Sequence, residues 1–362
     1  MKIIFITTKS ITFNTFLKSQ ADYFIKKGLT VEVASSDIEK LNFKKNLKHR
    51  IDFPNKIIHL FNLIRFFNIY IQIKRLIKKN QSTIFYLHTP VASHLFRIFT
   101  FFSKLKIIYF VHGFRFTSVS NPIKAFFFKG IEKFLSVSTN VFLTINSEDY
   151  NFAKYNLSKT AKFYKINGVG LDLPIKHFKK KIKKKQKIKN ILVIAAYKKE
   201  KGYLDVLKVA ETLKNNKVKI ECYGYGNYSH FESIRIKNKL HNICFNKFDI
   251  NLKNKIQNFD ILLHLSKREG LPVAIMQCLS EGLPVICHNI RGNNDLIKDT
   301  FNGYFVNSYK EVTGKILYLN LENNYFNKMR INAFNSINKS FLKEKINSNI
   351  YKIIKNYFKN YK

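Results

Sequence analysis

A chain of 362 residues with 46% hydrophobic residues is large enough for two domains, each with a core of its own. Its formal net charge of +41 favours anionic partners, with lipid or phosphate ahead of specific nucleic acid because no aromatic-basic RNA-binding signature is evident. Its four cysteines form no CxxC pair, which argues against a zinc site or a disulfide framework and fits reduced thiols in a cytoplasmic protein.

The positive charge has a second explanation in the composition. The chain is rich in Lys, Asn, Ile, Phe and Tyr and has no Trp, as an A/T-biased coding sequence would produce. Drift on solvated faces and selection for anionic partners therefore carry equal weight, and only KKKIKKKQKIK (179–189) forms a dense basic block. No signal peptide is indicated, and the longest apolar region (95–114) is interrupted by Arg97, Lys104 and Lys106, which argues against a spanning helix.

Short apolar runs with room for a helix between them recur along the chain and predict parallel strands covered by helices on both faces. In the first half the predicted strands are residues 2–7, 31–35, 84–89, 106–113 and 141–146, with helices at 16–27 and 122–137. After the basic block the predicted strands are residues 191–196, 219–224, 261–266 and 284–289, and the tail from 341 to 361 has a helical pattern.

This pattern predicts an α/β protein with two similar domains. The first domain is predicted to span residues 1–170, a basic and solvated linker follows at 171–189, and the second domain spans 190–340. The final helix, 341–362, is predicted to pack across the domain junction. Ligands of open α/β sheets bind beyond the carboxyl ends of the strands, so two such domains facing each other would hold a ligand in the cleft between them.

The tetrapeptide EGLP occurs twice in REGLPVAIMQCLSEGLPV (268–285). The first copy follows a predicted strand and starts a helix, since Gly270 permits a tight turn and Pro272 fits the first helical position. The second copy ends this helix, with Gly282 as its left-handed cap. The helix dipole and the free N–H groups favour an anionic ligand at the start of this helix, next to Glu269. Glu269 is therefore the candidate to contact neutral hydroxyls of that ligand, whereas Glu281, at the opposite end of the helix, is a structural or solvent-facing residue.

Gln277 is the one strongly polar side chain inside the apolar helix VAIMQCLS (273–280), one turn after Val273. It is either a buried amide bonded to neighbouring backbone or a contact for a ligand at the helix start. The residues alone favour the first interpretation.

Together with IRGNNDLIKDTFNGYFV (290–306), the run 268–285 resembles the donor-site signature of the retaining glycosyltransferases of family four. Other similar segments are HTPVAS (88–93), VHGFRF (111–116), the IEK of GIEKFL, LTINSEDYNFAK (143–154), INGVGLDL (166–173), EKGYLDVL (200–207) and YGYGNY (223–228). Within the family, the chain most resembles bacterial enzymes that build capsule, O-antigen and lipid-linked oligosaccharides. The resemblance implies the GT-B fold, with two facing Rossmann-like domains and a deep interdomain cleft.

The resemblance also implies roles for residues of this signature. Two acids eight positions apart contact the hydroxyls of the donor sugar and the nucleotide ribose in the family. Glu269 matches the first acid, whereas the second position is Gln277, a departure that bears on donor affinity or nucleotide preference. The donor-binding turn and helix start between them are Gly270, Leu271, Pro272 and Val273.

A basic element is implied to neutralise the leaving diphosphate. Lys201 with Gly202 matches the KG element of the family and is the candidate for this electrostatic role in the transition state. The family commonly places a basic residue five positions before that lysine, where this chain has Ala196. Lys198 or Lys199 is a candidate to compensate for it, and a solvated loop charge is the alternative interpretation of either lysine.

In the N-terminal half, His112 follows a predicted strand and matches the cleft histidine that lies near the transferred sugar in the family. A structural histidine is the alternative interpretation, and His88 is a weaker candidate. The loop at 7–14, TTKSITFN, is implied to be a neighbour of donor and acceptor, although it lacks the glycines common in the family.

These residues predict a retaining glycosyltransferase that moves a hexose or N-acetylhexosamine from a nucleotide diphosphate sugar, with a UDP-sugar favoured, to a lipid-linked or growing surface glycan. We expect no metal and no other cofactor, and a cytoplasmic protein on the inner face of an anionic membrane. The segments 56–79 and 124–135 interleave bulky apolar and basic residues and suit core helices or, second, helices on such a bilayer. The alternative function, suggested by Gln277 and Ala196, is a nucleotide-sugar-binding protein with weak or no transfer.

Overall fold

The computed structural model describes residues 1–54, 63–80, 82–118, 120–173, 184–185 and 187–359. The chain forms two compact units, one containing Met1–Gly170 with the last helix and the other containing Leu171–Leu342. Each unit has its own parallel sheet and its own apolar core. The α/β class predicted for both halves is confirmed.

The elements are numbered in chain order. The strands are β1 (Lys2–Ile6), β2 (Thr30–Ser35), β3 (Lys48–Arg50), β4 (Ile84–His88), β5 (Lys106–Val111), β6 (Val141–Thr144), β7 (Lys162–Lys165), β8 (Asn190–Ile194), β9 (Lys219–Gly224), β10 (Ile243–Lys247), β11 (Ile261–His264), β12 (Val285–Cys287) and β13 (Gly303–Phe305). The helices are α1 (Ser10–Thr12), α2 (Lys18–Lys26), α3 (Leu63–Lys78), α4 (Pro90–Phe99), α5 (Pro122–Leu135), α6 (Ser147–Asn156), α7 (Tyr203–Thr212), α8 (Ser229–Lys237), α9 (Leu252–Lys255), α10 (Val273–Ser280), α11 (Tyr309–Leu321), α12 (Asn323–Ser336) and α13 (Lys343–Lys359). A π-helical turn, Phe13–Leu17, joins α1 to α2.

The first sheet has the order β3-β2-β1-β4-β5-β6-β7 and the second has the order β10-β9-β8-β11-β12-β13, with parallel pairing in both. Helices cover both faces of such sheets, so the central strands are apolar along their length; β4, for example, is buried throughout. Every strand predicted from the sequence is present. The strands that were not predicted, β3, β7, β10 and β13, are the outer strands of the two sheets.

Helix α10 spans the residues predicted for it, and its two ends differ as expected. Pro272 lies one position earlier than predicted: it is the extended N-cap, and its carbonyl accepts the first helical hydrogen bond from the Met276 N–H at 3.3 Å. At the other end Gly282 has a φ of 73°. The Gly282 N–H donates to the Leu279 carbonyl and the Leu283 N–H to the Cys278 carbonyl, which is the Schellman arrangement of a helix C-terminus.

The predicted solvated linker differs from the structure at its C-terminal end. The Lys185 ammonium lies 2.7 Å from an Asp260 carboxylate oxygen, and Ile188 is buried in the core of the second unit. This end of the segment therefore packs on the second unit, because its one apolar residue and one of its cations find partners there. Residues 174–183 and 186 of the predicted linker, which include part of the basic block, lie outside the described residues.

The predicted C-terminal helix is confirmed as α13. It packs against α2 of the first unit, where Ile350 and Ile354 are fully buried and the Tyr351 ring contacts the rings of Tyr23 and Phe24. Its course across the domain junction stays a prediction. Among the described residues, no helix combines the length and apolar character needed to cross a bilayer.

Candidate active site

Lys201 is held beside the end of β11 by a glycine. A 3-10 turn, Lys199–Lys201, ends at Gly202, whose φ is 79°. A Cβ atom added to Gly202 would lie 2.1 Å from the Leu265 carbonyl oxygen, so the close approach of these two segments requires glycine. The Lys267 N–H also donates to the Glu200 carbonyl at 2.9 Å, which fixes the turn against the loop that follows β11.

Glu269 lies in that loop, and its carboxylate contacts two basic side chains. Its Oε1 atom lies 2.7 Å from the Lys201 ammonium and 3.1 Å from His264 Nε2, and its side chain is 14% exposed. Burial by itself would raise the pKa of Glu269, but the hydrogen bond and charge of His264 and the charge of Lys201 outweigh burial and lower the pKa to about 2. The carboxylate is therefore ionised at neutral pH and serves only as a hydrogen-bond acceptor.

His264 is a site residue that the sequence interpretation missed. It is the last residue of β11, its side chain is 4% exposed, and it contacts Glu269 directly. In the sequence it ends the apolar run ILLH, where a histidine reads as part of a buried strand. Its position at a strand end, just before the loop that carries Glu269, is the signal that could have identified it.

The turn that leads into α10 is fixed by the next loop along the sheet. The Arg291 Nε–H donates to the Glu269 carbonyl at 3.0 Å. Gly292 has a φ of 81°, and a Cβ added there would lie 2.2 Å from the Gly270 carbonyl oxygen. Leu271 is buried. The predicted donor-binding turn is therefore held by the Arg291 side chain and by the close approach of Gly292 to its backbone.

The start of α10 and Gln277 lie on one face of the helix. Val273 and Gln277 are partly exposed at positions i and i+4, whereas Ile275 and Met276 are fully buried. In the described part of the chain, the N-cap residue of α10, Pro272, makes no side-chain capping hydrogen bond. The Gln277 side-chain amide makes no hydrogen bond to any described residue. This arrangement is more favourable to a ligand contact than the buried, backbone-bonded amide that the sequence favoured.

Lys198 precedes the turn that carries Lys201 and is exposed. Ala196, at the position where a base was expected, is partly exposed and accepts a hydrogen bond from the Lys198 N–H at 2.8 Å. The second unit therefore brings Lys198, Lys201, Glu269, the turn into α10 and Gln277 onto segments that follow β8 and β11. Among the described residues, no group of three or more potential metal ligands is present.

The predicted histidine of the first unit is part of a histidine pair. His112 follows β5 and is half-buried, and its Nε2 atom lies 3.2 Å from Nδ1 of the buried His88 at the end of β4. Burial lowers the pKa of His112 to about 4, and burial followed by the charge of His112 lowers that of His88, so both rings are neutral at pH 7.

The buried surroundings of His88 determine which ring donates. His88 Nε2 has no hydrogen-bond partner among the described residues. If His112 donated to His88, the proton of His88 would lie on this orphaned nitrogen, and an unpaired buried donor costs about 1–3 kcal/mol. We infer that His88 Nδ1–H donates to His112 Nε2. His112 then carries its own proton on Nδ1 and is a donor toward any ligand there.

The loop after β1 is shorter than predicted. Helix α1 begins at Ser10, within the segment 7–14 that was expected to be a loop, because the Ser10 N–H donates to an Asp37 carboxylate oxygen at 2.7 Å. The Thr8 N–H donates to Thr89 Oγ1 at 3.1 Å, and Thr89 has a φ of 66°. The segments after β1 and β4 are thus joined, and the second contains a strained, non-glycine residue next to His88.

Both units match family models for glycosyltransferases. Residues 174–336 match the model described as glycosyl transferases group 1, and residues 2–146 match the model described as glycosyl transferase 4-like. The chain belongs to the glycosyltransferases. It is therefore an enzyme of the transferase class, and its resemblance to this family in the sequence is confirmed.

Individual relatives agree with this assignment. This glycosyltransferase is 26% identical over 321 residues to EpsD of Bacillus subtilis (strain 168), which is named as a glycosyltransferase, with 84% of this chain and 83% of EpsD covered. It is 26% identical over 306 residues to the Escherichia coli UDP-Gal:alpha-D-GlcNAc-diphosphoundecaprenol alpha-1,3-galactosyltransferase, with coverage of 76% and 78%. The structure of Anabaena Alr3699/HepE in complex with UDP and glucose matches with a TM-score of 0.75 at 13% identity, covering 98% of this chain and 100% of that one. The GT-B fold class is confirmed.

Proposed function

We propose that this glycosyltransferase moves a hexose or N-acetylhexosamine from a UDP-sugar to a lipid-linked glycan, with retention of the anomeric configuration. The observation that carries the proposal is the Glu269 carboxylate, which is largely buried and kept ionised by Lys201 and His264. A carboxylate accepts hydrogen bonds from neutral sugar hydroxyls but repels a phosphate unless a cation lies beside it. Lys201 is such a cation.

Each part of a nucleotide diphosphate sugar has a candidate partner in the second unit. Lys201 and the N-terminus of α10 supply positive potential for the diphosphate, with the exposed Lys198 as a further cation. Negative charge develops on the diphosphate as the bond to the sugar breaks, so these groups would stabilise the transition state. The free amide of Gln277 suits the ribose hydroxyls, which both donate and accept.

The names of relatives support the choice of donor and acceptor. The Escherichia coli relative is named for UDP-galactose and a diphosphoundecaprenol-linked acceptor, and the Anabaena neighbour binds UDP and glucose. We extend a UDP-sugar donor and a lipid-linked glycan acceptor to this chain on that basis. We further propose that it acts in capsule, O-antigen or lipid-linked oligosaccharide synthesis, at the cytoplasmic face of the membrane and without a metal or other cofactor.

The geometry also bears on how retention would arise. Glu269 is already engaged by two bases, and a carboxylate whose pKa is about 2 is a weak nucleophile. We therefore favour attack by the acceptor on the face that the diphosphate leaves, with Glu269 orienting the sugar. The neutral His112 would then donate from Nδ1 to a hydroxyl of the transferred sugar.

The test combines a donor screen with a transfer reaction. The full-length chain is screened with UDP-, GDP- and ADP-sugars for thermal stabilisation, and the donor found is then supplied with lipid-diphosphate-sugar acceptors. Transfer by the wild type supports the proposal, whereas donor stabilisation without transfer to any acceptor supports the alternative of a binding protein. Glu269→Ala is expected to abolish transfer, and Glu281→Ala, the same change in the second EGLP copy, is the matched control that keeps it.

A further inference from the structure

The outward face of α5 is apolar. Ile123, Phe126, Phe127 and Phe134 are 80%, 82%, 61% and 61% exposed, and their spacing places them along one stripe of the helix. A surface helix of a soluble protein normally turns its apolar stripe to the core and its polar residues to water. Helix α5 buries Ala125 and Leu135 on its inner side and leaves a second apolar stripe outside, so folding of the unit does not account for these exposed side chains.

The inward face of α5 contains one charged residue, Glu132, of a type that ordinarily faces water. Glu132 is buried, and its two carboxylate oxygens lie 2.8 Å from His94 Nε2 and 2.8 Å from an Arg97 guanidinium nitrogen of α4. The Arg97 guanidinium also lies 4.6 Å from the centre of the Tyr109 ring in β5. Rotating the helix to hide the phenylalanines would break this buried ion pair, which is costly. The outward direction of the apolar stripe is therefore fixed.

The exposed apolar surface continues beyond α5. The Phe101 ring stacks on Phe134 with centroids 4.5 Å apart, and its neighbour Phe102 is 97% exposed. Phe101 and Phe102 lie in the turn after α4. Just before this turn, the Phe99 ring packs against the Tyr70 ring of α3, with ring centres 5.4 Å apart. We call Phe102 and the stripe of Ile123, Phe126, Phe127 and Phe134 the aromatic face. A contiguous face of this kind marks an interaction surface rather than scattered exposed residues.

The surroundings of the aromatic face are strongly cationic. Between residues 52 and 148 the sequence contains thirteen lysines and arginines and one acid, Glu132. Glu132 and Arg97 are both buried and paired with each other, so the other twelve cations of this stretch are not offset by an acid within it. Lys124, Lys129 and Lys133 are exposed on the two flanks of the stripe. Bulky apolar residues between flanking lysines are complementary to an anionic lipid surface, with acyl chains beneath a layer of negative headgroups.

We propose that the aromatic face is a membrane-docking surface, with α5 lying in the plane of an anionic bilayer and the turn at Phe102 inserted beside it. The lysines that flank the stripe contact headgroup phosphates, while the phenylalanines enter the boundary with the acyl chains. The inference deepens the proposed function and rests on it for the lipid-linked acceptor. It assigns the surface that would keep the enzyme where such an acceptor is found.

Because the chain has no Trp, a single introduced Trp reports on one position without background. Phe126→Trp is expected to show a blue-shifted emission with phosphatidylcholine–phosphatidylglycerol vesicles and quenching by brominated acyl chains. The matched control is Leu321→Trp, because Leu321 is 81% exposed at the end of α11 in the other unit. The control is expected to show neither effect. In parallel, Phe126→Ser/Phe127→Ser is expected to weaken vesicle binding about tenfold relative to Leu321→Ser at a salt concentration that screens surface charge.

Two outcomes would overturn the proposal. Vesicle-bound Phe126→Trp that stays accessible to aqueous acrylamide would show that the chain binds by its general positive charge and not by this face. A blue shift that grows with protein concentration in the absence of vesicles would show that a second copy of the chain covers the face. Transfer to a short-chain, water-soluble acceptor does not require a bilayer, so that reaction tests the proposed function separately.

Discussion

The ionised state of Glu269 makes a quantitative prediction about stability and pH. Replacing Glu269 by Gln keeps the shape of the side chain and removes the charge that Lys201 and His264 stabilise. In the folded wild type, the pKa of Glu269 falls from an ordinary 4.5 to about 2. This lowering of the pKa corresponds to ~3 kcal/mol of folding stability for the ionised form. Since the pKa is lowered in the folded state, this contribution is complete above pH 4.5 and is lost as pH falls toward 2.

The assay can follow the second unit alone, because all four cysteines lie within it and Cys222, Cys278 and Cys287 are buried. A pulse of 4,4′-dithiodipyridine, which modifies thiols in acid, reports the unfolded fraction of this unit along a urea series. The wild type is expected to exceed Glu269→Gln by ~3 kcal/mol at neutral pH, and the difference should shrink between pH 4.5 and 2. Glu281→Gln controls for the loss of one negative charge. A difference that does not change with pH would refute the assignment of Glu269 as a buried, ionised carboxylate.

Three further predictions concern residues around the site. Gln277→Glu is expected to tighten UDP binding in calorimetry by about fivefold, because hydrogen bonds to a charged acceptor are stronger; an unchanged affinity would contradict contact with the ribose. Gly202→Ala is expected to lower the free energy of unfolding by more than ~1 kcal/mol, since the new Cβ would collide with the Leu265 carbonyl. The control is Gly314→Ala in α11, where a Cβ has open space, and it should be neutral or stabilising. Nitrogen-15 NMR of the histidine rings is expected to show His88 protonated on Nδ1, and protonation on Nε2 would contradict the inferred donor direction.

The sequence predicted central strands well and edge strands poorly, for one physical reason. A strand buried on both faces is a continuous apolar run, as in ILLH of β11 or KIIFI of β1. The outer strands KHR, KFYK, ICFNK and GYF are short or mix polar residues into the run. Their pairing is decided by the neighbouring strand in three dimensions, so no local pattern in the sequence distinguishes them from loops.

The candidate site was predictable where a local motif specified it. The two EGLP copies predict the turn into α10 and the glycine that ends this helix. The positions of Glu269 and Gln277 follow from the predicted helix. The contact of Glu269 with Lys201 was not predictable, because 68 residues separate the two and the contact depends on the close approach at Gly202. His264 was missed for the same reason: only its tertiary partner distinguishes it from a core histidine.

The surface of the first unit shows a similar limit. The sequence pattern of α5 fits either a core helix or a helix on a bilayer, and the sequence interpretation favoured the core helix. The structure turns Phe126 and Phe127 outward because Glu132 is paired with Arg97 inside. A buried ion pair between two helices is a tertiary contact, so the direction of the apolar stripe could not be inferred from the spacing of its residues.

The central proposal is tested most directly by the configuration of the glycosidic bond in the product. The full-length chain is incubated with the UDP-sugar found in the donor screen and a lipid-diphosphate-sugar acceptor, and the anomeric proton of the new linkage is assigned by NMR. We predict a product with the anomeric configuration of the donor, formed by the wild type and absent with Glu269→Ala. An inverted product, release of UDP without a new glycan, or near-normal transfer by Glu269→Ala would contradict the proposed function.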